Sequence, residues 1–155
     1  MVRRDRCQMS ALSKYRQAVD LDGTQTLVNL KAVFEAESAA SVMYRWCAQQ
    51  ADVEGYPDAA KRFNAMAEAK VGQALGHLEY LSTVGDPATG ASIGDTDQNL
   101  EAAKTAEQSK ATELLPAFVD TARSEGLEEI AEWIESQIRA NTGHGDKFSA
   151  SLDNL

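Results

Sequence analysis

The sequence predicts an all-α protein, an up-and-down four-helix bundle made of two repeated helical hairpins with one crossover loop. Alanine occurs 25 times and proline only three times in 155 residues, and three of the four long segments run for over twenty residues without proline. Both features favour helices. The third observation is an internal repeat, because the two halves of the chain share residues at a nearly constant offset.

The first two predicted helices form a hairpin. Helix A starts near Thr24, a capping residue that follows Gly23, and ends at Gly55. Helix B begins at Pro57, which a first helical turn tolerates, and ends at Gly85.

The second pair of helices follows a long loop, residues 85–95, which is rich in helix breakers and can cross the end of a bundle. Helix C is expected over about 96–124, and Pro116 inside it predicts a kink or a bulge because proline removes a backbone hydrogen bond. Gly126 ends this helix. Helix D runs from about residue 127 through Asn141, and glycines weaken its last turns.

The repeat relates these two hairpins. Asn29, Leu30 and Glu37 match Asn99, Leu100 and Glu107 at an offset of 70, and Glu54 and Gly55 match Glu125 and Gly126 at an offset of 71. One residue inserted near Pro116 would cause the change of offset. The repeat predicts two hairpins, each marginally stable alone, that bury their apolar faces against one another.

Charge and composition exclude several classes of function. The chain has 15 Lys and Arg against 24 Asp and Glu, a net charge of -9, so nucleic acid is not expected as a partner. No apolar run approaches the roughly 18 residues of a membrane span, and no secretion signal is recognisable, so we expect a cytoplasmic protein without a membrane partner. Cys7 and Cys47 have neither the spacing of a redox pair nor that of a zinc site.

The same patterns divide the chain into three parts. Residues 1–20 are expected to be a basic arm that contains a short helix over 9–19, residues 21–150 the helical bundle, and residues 151–155 a tail.

Four stretches of sequence resemble the ferritin-like domain of the rubrerythrin family. They are Phe34-Glu35-Ala36-Glu37-Ser38 with Tyr44, then Glu54-Gly55-Tyr56, then Asn99-Leu100 with Glu107, Thr112-Glu113 and Pro116-Ala117-Phe118, and finally Glu125-Gly126-Leu127-Glu128-Glu129-Ile130-Ala131. They occur in the family's order and spacing. The resemblance covers roughly residues 25–150 and implies a ferritin-like four-helix bundle.

The resemblance also implies a metal site, which this sequence has altered. Rubrerythrin-like proteins hold two irons with a Glu on A, a Glu on C, an ExxH pair on B, a further Glu on C and an ExxH pair on D. Of these seven positions, Glu37, Glu107 and His144 keep the family's residue, whereas Lys70, Gln73, Lys110 and Asn141 replace Glu, His, Glu and Glu.

We interpret the changes as the loss of the metal. Two ammonium groups would repel metal ions, so the sequence predicts no cofactor and an ionic cluster of Glu37, Lys70, Glu107 and Lys110. The remaining polar residues at the former ligand positions, which supply hydrogen bonds to this cluster, are Gln73, Asn141 and His144. The expected function is metal-free binding or scaffolding by a homodimer. The alternative for either lysine is an outward, solvated position.

Three further interpretations stay open. Glu37, Glu107 and His144 would hold a single iron or another divalent metal, and the protein would then be a non-haem oxidoreductase or peroxidase. A lysine-based enzyme acting on a small carbonyl compound would use Lys70, Lys110 or Tyr44 as catalytic residues. Glycines on helix B favour either close helix packing or a cavity for a small-molecule ligand in the bundle core.

Overall fold

A cap and a glycine turn set the helix ends of the first hairpin. In the computed structural model, which describes residues 20–155, α1 spans Gln25–Val53 and α2 spans Pro57–Leu81. The Thr24 hydroxyl oxygen accepts a hydrogen bond from the Leu27 amide at 3.1 Å, which satisfies one of the unpaired donors of the first turn. Gly55 has a φ of +84° in the turn between the helices, a conformation that favours glycine.

Small residues at seven-residue spacing hold α1 against α2. The buried residues of α2 are Ala60, Ala67, Ala74 and Leu81, and those of α1 are Ser41, Ala48 and Ala51. Because alanine projects so little, two antiparallel helices that meet through such a seam approach each other closely. The hairpin belongs to the first of two compact units, Met1–Thr83.

The second compact unit, Val84–Leu155, contains the other hairpin. Its elements are α3 (Thr96–Ser109), a π-helix (Lys110–Leu114), α4 (Leu115–Ser124) and α5 (Glu128–Leu152). The core of this unit is a cluster of Val119, Ala122 and Ala131, against which Ile134 and Ile138 pack.

Helix α5 is longer than the sequence predicts. It continues through Gly143 and Gly145 and ends at Leu152. Gly145 is buried against α3, and a Cβ at this position would lie 3.2 Å from Cγ of Gln108. The helix therefore tolerates this glycine because it allows a close approach of the two helices.

The π-helix explains the predicted bulge. Pro116 has no backbone N–H, so the α-helical ladder is interrupted in the preceding turn, where the Leu115 amide donates to the Lys110 carbonyl five residues earlier. A π turn takes up one residue more than an α turn. This extra residue is the insertion that changes the repeat offset from 70 to 71.

Residues that are equivalent in the repeat are buried in both hairpins, before and after the offset changes at the π-helix. Ser41 and Ala111 are buried at an offset of 70, and Ala48 and Ala51 match the buried Val119 and Ala122 at an offset of 71. The two hairpins are thus built on the same internal contacts, as the repeat predicted.

The loop between α2 and α3 contains a turn that the Asp86 side chain stabilises. The Asp86 carboxylate accepts hydrogen bonds from the amides of Ala88 and Thr89, both at 2.8 Å. Burial alone would raise the pKa of Asp86, but these hydrogen bonds outweigh it and hold the pKa below its ordinary value. Asp95 then caps α3 through a reciprocal pair of hydrogen bonds with Gln98.

Several sequence predictions fall outside this description. The helix over residues 9–19, the basic arm and Cys7 lie outside residues 20–155, apart from the arm's last residue. Cys47 is a half-buried, unpaired thiol. None of the helices within residues 20–155 has the length and apolar character needed to cross a membrane.

Candidate functional site

The first hairpin contains an ion pair between two residues of the predicted ionic cluster. Glu37 on α1 and Lys70 on α2 are 2.6 Å apart, Oε2 to Nζ, and their side chains are only 20% and 27% exposed. Lys70 also donates a hydrogen bond to Oε1 of Gln73, one turn along α2, at 2.9 Å. Lys70 therefore points toward the neighbouring helix and does not extend into solvent.

The second hairpin contains a three-residue cluster around Glu107. One oxygen of Glu107, Oε1, accepts a hydrogen bond from Nζ of Lys110 at 3.1 Å. The other oxygen, Oε2, is 3.1 Å from Nδ1 of His144, which reaches across from α5. The Glu107 side chain is 18% exposed, whereas Lys110 and His144 are 48% and 51% exposed.

Both partners of Glu107 stabilise its ionised form. Burial alone would raise the pKa of Glu107, but the hydrogen bonds and positive charges of Lys110 and His144 outweigh it and lower the pKa below the ordinary value of 4.5. The Glu107 side chain is therefore ionised at neutral pH.

The glutamates of the two clusters are equivalent in the repeat, but their lysines are not. Glu37 and Glu107 are equivalent at an offset of 70. Lys70 approaches Glu37 from the opposite helix of its hairpin, whereas Lys110 approaches Glu107 from three residues along the same helix. The structure thus groups six of the seven predicted residues into two clusters, one in each hairpin.

The remaining candidates form no hydrogen bond with these clusters within residues 20–155. Asn141 is half-buried on α5 and forms no side-chain hydrogen bond with the residues described. The ring of Tyr44 packs against Phe63 with the centroids 6.1 Å apart, and no hydrogen bond joins its phenol to an acid within residues 20–155.

The side chains in place do not fit a pair of irons. Within residues 20–155, no three His, Cys, Asp or Glu side chains come together in a group that could hold a metal ion. The donors that are adjacent across helices are Glu107 and His144, and an ammonium group lies beside each conserved carboxylate.

Comparison with known proteins identifies the family. The rubrerythrin family model matches residues 29–152. The chain belongs to the rubrerythrin family.

A rubrerythrin of Porphyromonas gingivalis is 32% identical over 150 residues, which cover 93% of this chain and 74% of that protein. Rubrerythrin-1 of Clostridium acetobutylicum is 33% identical over 143 residues, 87% of this chain and 73% of its own length. A rubrerythrin of Nitratidesulfovibrio vulgaris is 32% identical over 133 residues, which cover 83% of this chain and 69% of that protein.

Family membership confirms the predicted fold class and corrects the prediction about cofactors. The all-α, ferritin-like architecture made of repeated hairpins is that of a rubrerythrin. The expectation of no cofactor is wrong, because the relatives are diiron proteins and point to iron. The charge argument considered a full pair of metal ions and treated both lysines as fixed, although the Lys110 side chain is about half exposed.

Proposed function

We propose that this rubrerythrin-family chain is a non-haem oxidoreductase that binds a single iron, or another divalent metal, with Glu107 and His144 of its second hairpin. The observation that supports this proposal is the 3.1 Å between Oε2 of Glu107 and Nδ1 of His144. Two donors that each lie about 2.0–2.2 Å from one divalent ion are about 2.8–3.6 Å from each other, for angles between 90° and the tetrahedral value. The resemblance to the family also assigns both residues to ligand positions.

The second hairpin suits a metal better than the first. Glu37 is paired with a lysine that is mostly covered, and removing that ammonium from its place would leave a covered carboxylate without its partner. Lys110 is half exposed and can turn into solvent at little cost when a metal ion takes its place beside Glu107. Before a metal binds, Lys110 and His144 hold the pKa of Glu107 below its ordinary value, so the carboxylate is already deprotonated, as a ligand must be.

Each residue of the cluster has a defined part in this function. Iron, when bound, would supply one-electron chemistry with oxygen or peroxide. Glu107 and His144 would hold it, and a set of two protein ligands leaves positions for water or substrate. Lys110 would give up its place beside Glu107 to the metal ion. The homodimer and the cytoplasmic location predicted from the sequence are further parts of the proposal.

Metal analysis after expression with added iron tests this function. We expect about one iron per chain in the wild type and less than about a tenth of that in Glu107→Gln and His144→Gln. The chain offers matched controls, because His77→Gln changes its only other histidine and Glu132→Gln changes an exposed acid of α5. Wild-type protein without metal, or equal loss in the controls, contradicts the proposal.

The lysine-based alternative stays a prediction. Nζ of Lys70 contacts Glu37 and Gln73, and Nζ of Lys110 contacts Glu107. Borohydride reduction in the presence of small aldehydes and ketones would label either lysine only if it forms a Schiff base.

A further inference from the structure

The second compact unit has a wide, mainly apolar groove along α3. Its volume is about 1300 Å³, and it is lined by one face of α3, by the loop from Ala88 to Ser92, by the π-helix and by Leu152. Sequence reasoning missed this surface, because its residues are small and only weakly apolar. The groove is larger than the roughly 300–1,000 Å³ of a typical small-molecule pocket, so its size suits a segment of another protein.

Small and polar side chains without charge line the α3 side of the groove. Gln98, Ala102, Thr105 and Ser109 follow one another at spacings of four, three and four residues, which place them on one face of the helix. Because such short side chains project little, a second helix can approach α3 closely, as α1 and α2 approach each other. An amphipathic helix that lays its apolar face in a groove is a recurring mode of protein recognition.

The charges of the groove determine which kind of helix fits it. Asp97 near one end and Glu113 near the other are exposed. Glu113 accepts a hydrogen bond from the Ser109 hydroxyl at 3.4 Å, but neither acid forms an ion pair within residues 20–155. The other charged residues of the lining are already paired inside the chain, Lys110 with Glu107 and Glu101 with Lys104. The groove therefore has an uncompensated negative charge near each end, which basic residues of a partner would neutralise.

The composition of the second unit favours the same kind of partner. Residues 84–155 contain 14 Asp and Glu but five Lys and Arg, so the formal net charge of this unit equals the -9 of the whole chain. A field of this sign attracts basic segments and speeds their association. It repels acidic peptides, nucleic acids and anionic lipid surfaces.

We propose that the groove binds a basic amphipathic helix of a partner protein. Asp97 and Glu113 are 16 positions apart, or about 24 Å along a helix. The partner helix therefore needs an apolar face of about four turns with Lys or Arg near both of its ends. Because an acid lies near each end of the groove, either direction of the partner helix satisfies both charges. This inference does not depend on the metal proposed for Glu107 and His144.

A synthetic peptide of about 18 residues, with leucines along one helical face and lysines at both ends, provides the probe. Isothermal titration calorimetry with the full chain should show saturable binding. The circular-dichroism signal of the peptide should become more helical on binding, because a short isolated helix is marginally stable in water. A peptide with glutamates in place of the lysines should bind about tenfold more weakly or less.

Paired variants test whether the two acids of the groove attract the peptide. Asp97→Asn with Glu113→Gln removes both charges, and we expect the dissociation constant of the lysine peptide to rise about fivefold or more. Asp120→Asn with Glu132→Gln changes the net charge by the same amount at exposed positions outside the groove. This control should alter the dissociation constant by less than about twofold.

A bulky side chain tests the location independently of charge. Thr105→Trp places a large ring in the groove and should prevent binding, whereas Ala140→Trp at an exposed position of α5 outside the groove should not. Circular dichroism confirms that each variant is folded. Absence of saturable binding of the lysine peptide, equal binding of the glutamate peptide, or equal losses in the groove and control variants overturns the proposal.

Discussion

The ion pairs between α1 and α2 differ in the exposed fraction of their side chains, and we expect the covered pair to contribute more to stability. Glu37 and Lys70 are more than two-thirds covered, whereas Arg45 and Glu68, also joining α1 to α2, are 55% and 71% exposed. Solvent screens an exposed pair, and removing one partner of a covered pair leaves a charge without compensation.

We therefore predict that Lys70→Met lowers the free energy of unfolding by about 1–2 kcal/mol, because it leaves the Glu37 carboxylate without its ammonium partner. Arg45→Met is the matched control and should change it by less than about 0.5 kcal/mol. Urea unfolding followed by circular dichroism measures both values. Equal losses in the two variants would show that the covered position of the pair has no energetic consequence.

The sequence named six residues that the structure places in the two clusters, but it did not predict how they pair. Glu37 and Glu107 were recognisable because the repeat makes them equivalent, and Lys70 and Lys110 because they replace acids in a family pattern. Whether a lysine reaches an acid on its own helix or on the neighbouring one depends on side-chain rotamers and on helix separation. Neither quantity can be read from residue spacing, so the pairing within each hairpin could not be predicted.

At the scale of helices, the π-helix is the most informative element. It coincides with the point where the repeat offset changes, between the buried Ala111 and the buried Val119. An insertion in a regular α-helix would rotate every later residue by about 100° and expose the core face. The π turn absorbs the extra residue, and the contacts of Val119 and Ala122 are kept.

Removal of the extra residue should accordingly be tolerated here and nowhere else nearby. We predict that deletion of Thr112 combined with Pro116→Ala yields a continuous α-helix and changes the free energy of unfolding by no more than about 1 kcal/mol. Deletion of Ala140, an exposed residue of α5, should cost about 3 kcal/mol or more because it turns Gly145 away from Gln108. Chemical denaturation of the two deletion variants gives the comparison, and similar costs would mean that the π-helix does not accommodate an insertion.

Helix ends illustrate where local signals suffice. Thr24 and Gly55 predicted the two ends of α1, and Pro57 predicted the start of α2; these predictions are confirmed because capping and turn conformations are local. The C-terminal end of α2 was predicted at Gly85 but lies at Leu81. The end of α5 was placed too early because Gly145 was judged by its helix propensity alone. Packing against α3 outweighs that preference, and no local pattern reports the position of another helix.

For the whole molecule, the family fold was predictable because a duplicated hairpin has a long sequence signature. Composition, the repeat and four ordered motifs agree with the family match over residues 29–152. The cofactor was not predictable in the same way. Replacing ligands by lysines changes the affinity for a metal by an amount that depends on whether each lysine can withdraw, and Lys110 and Lys70 differ in exposure by nearly a factor of two.

Restoration of the family's ligand set tests how far the backbone retains the ancestral geometry. The variant combines Lys70→Glu, Gln73→His, Lys110→Glu and Asn141→Glu, which removes two positive charges and supplies the missing carboxylates and imidazole. We predict that its iron content rises to about two per chain, because the family's residue then fills every ligand position that the resemblance assigns. Elemental analysis and the ultraviolet-visible spectrum of the oxidised protein provide the measurement, and circular dichroism confirms folding. A folded variant with no more iron than the wild type would mean that these four residues do not occupy the ligand positions assigned to them.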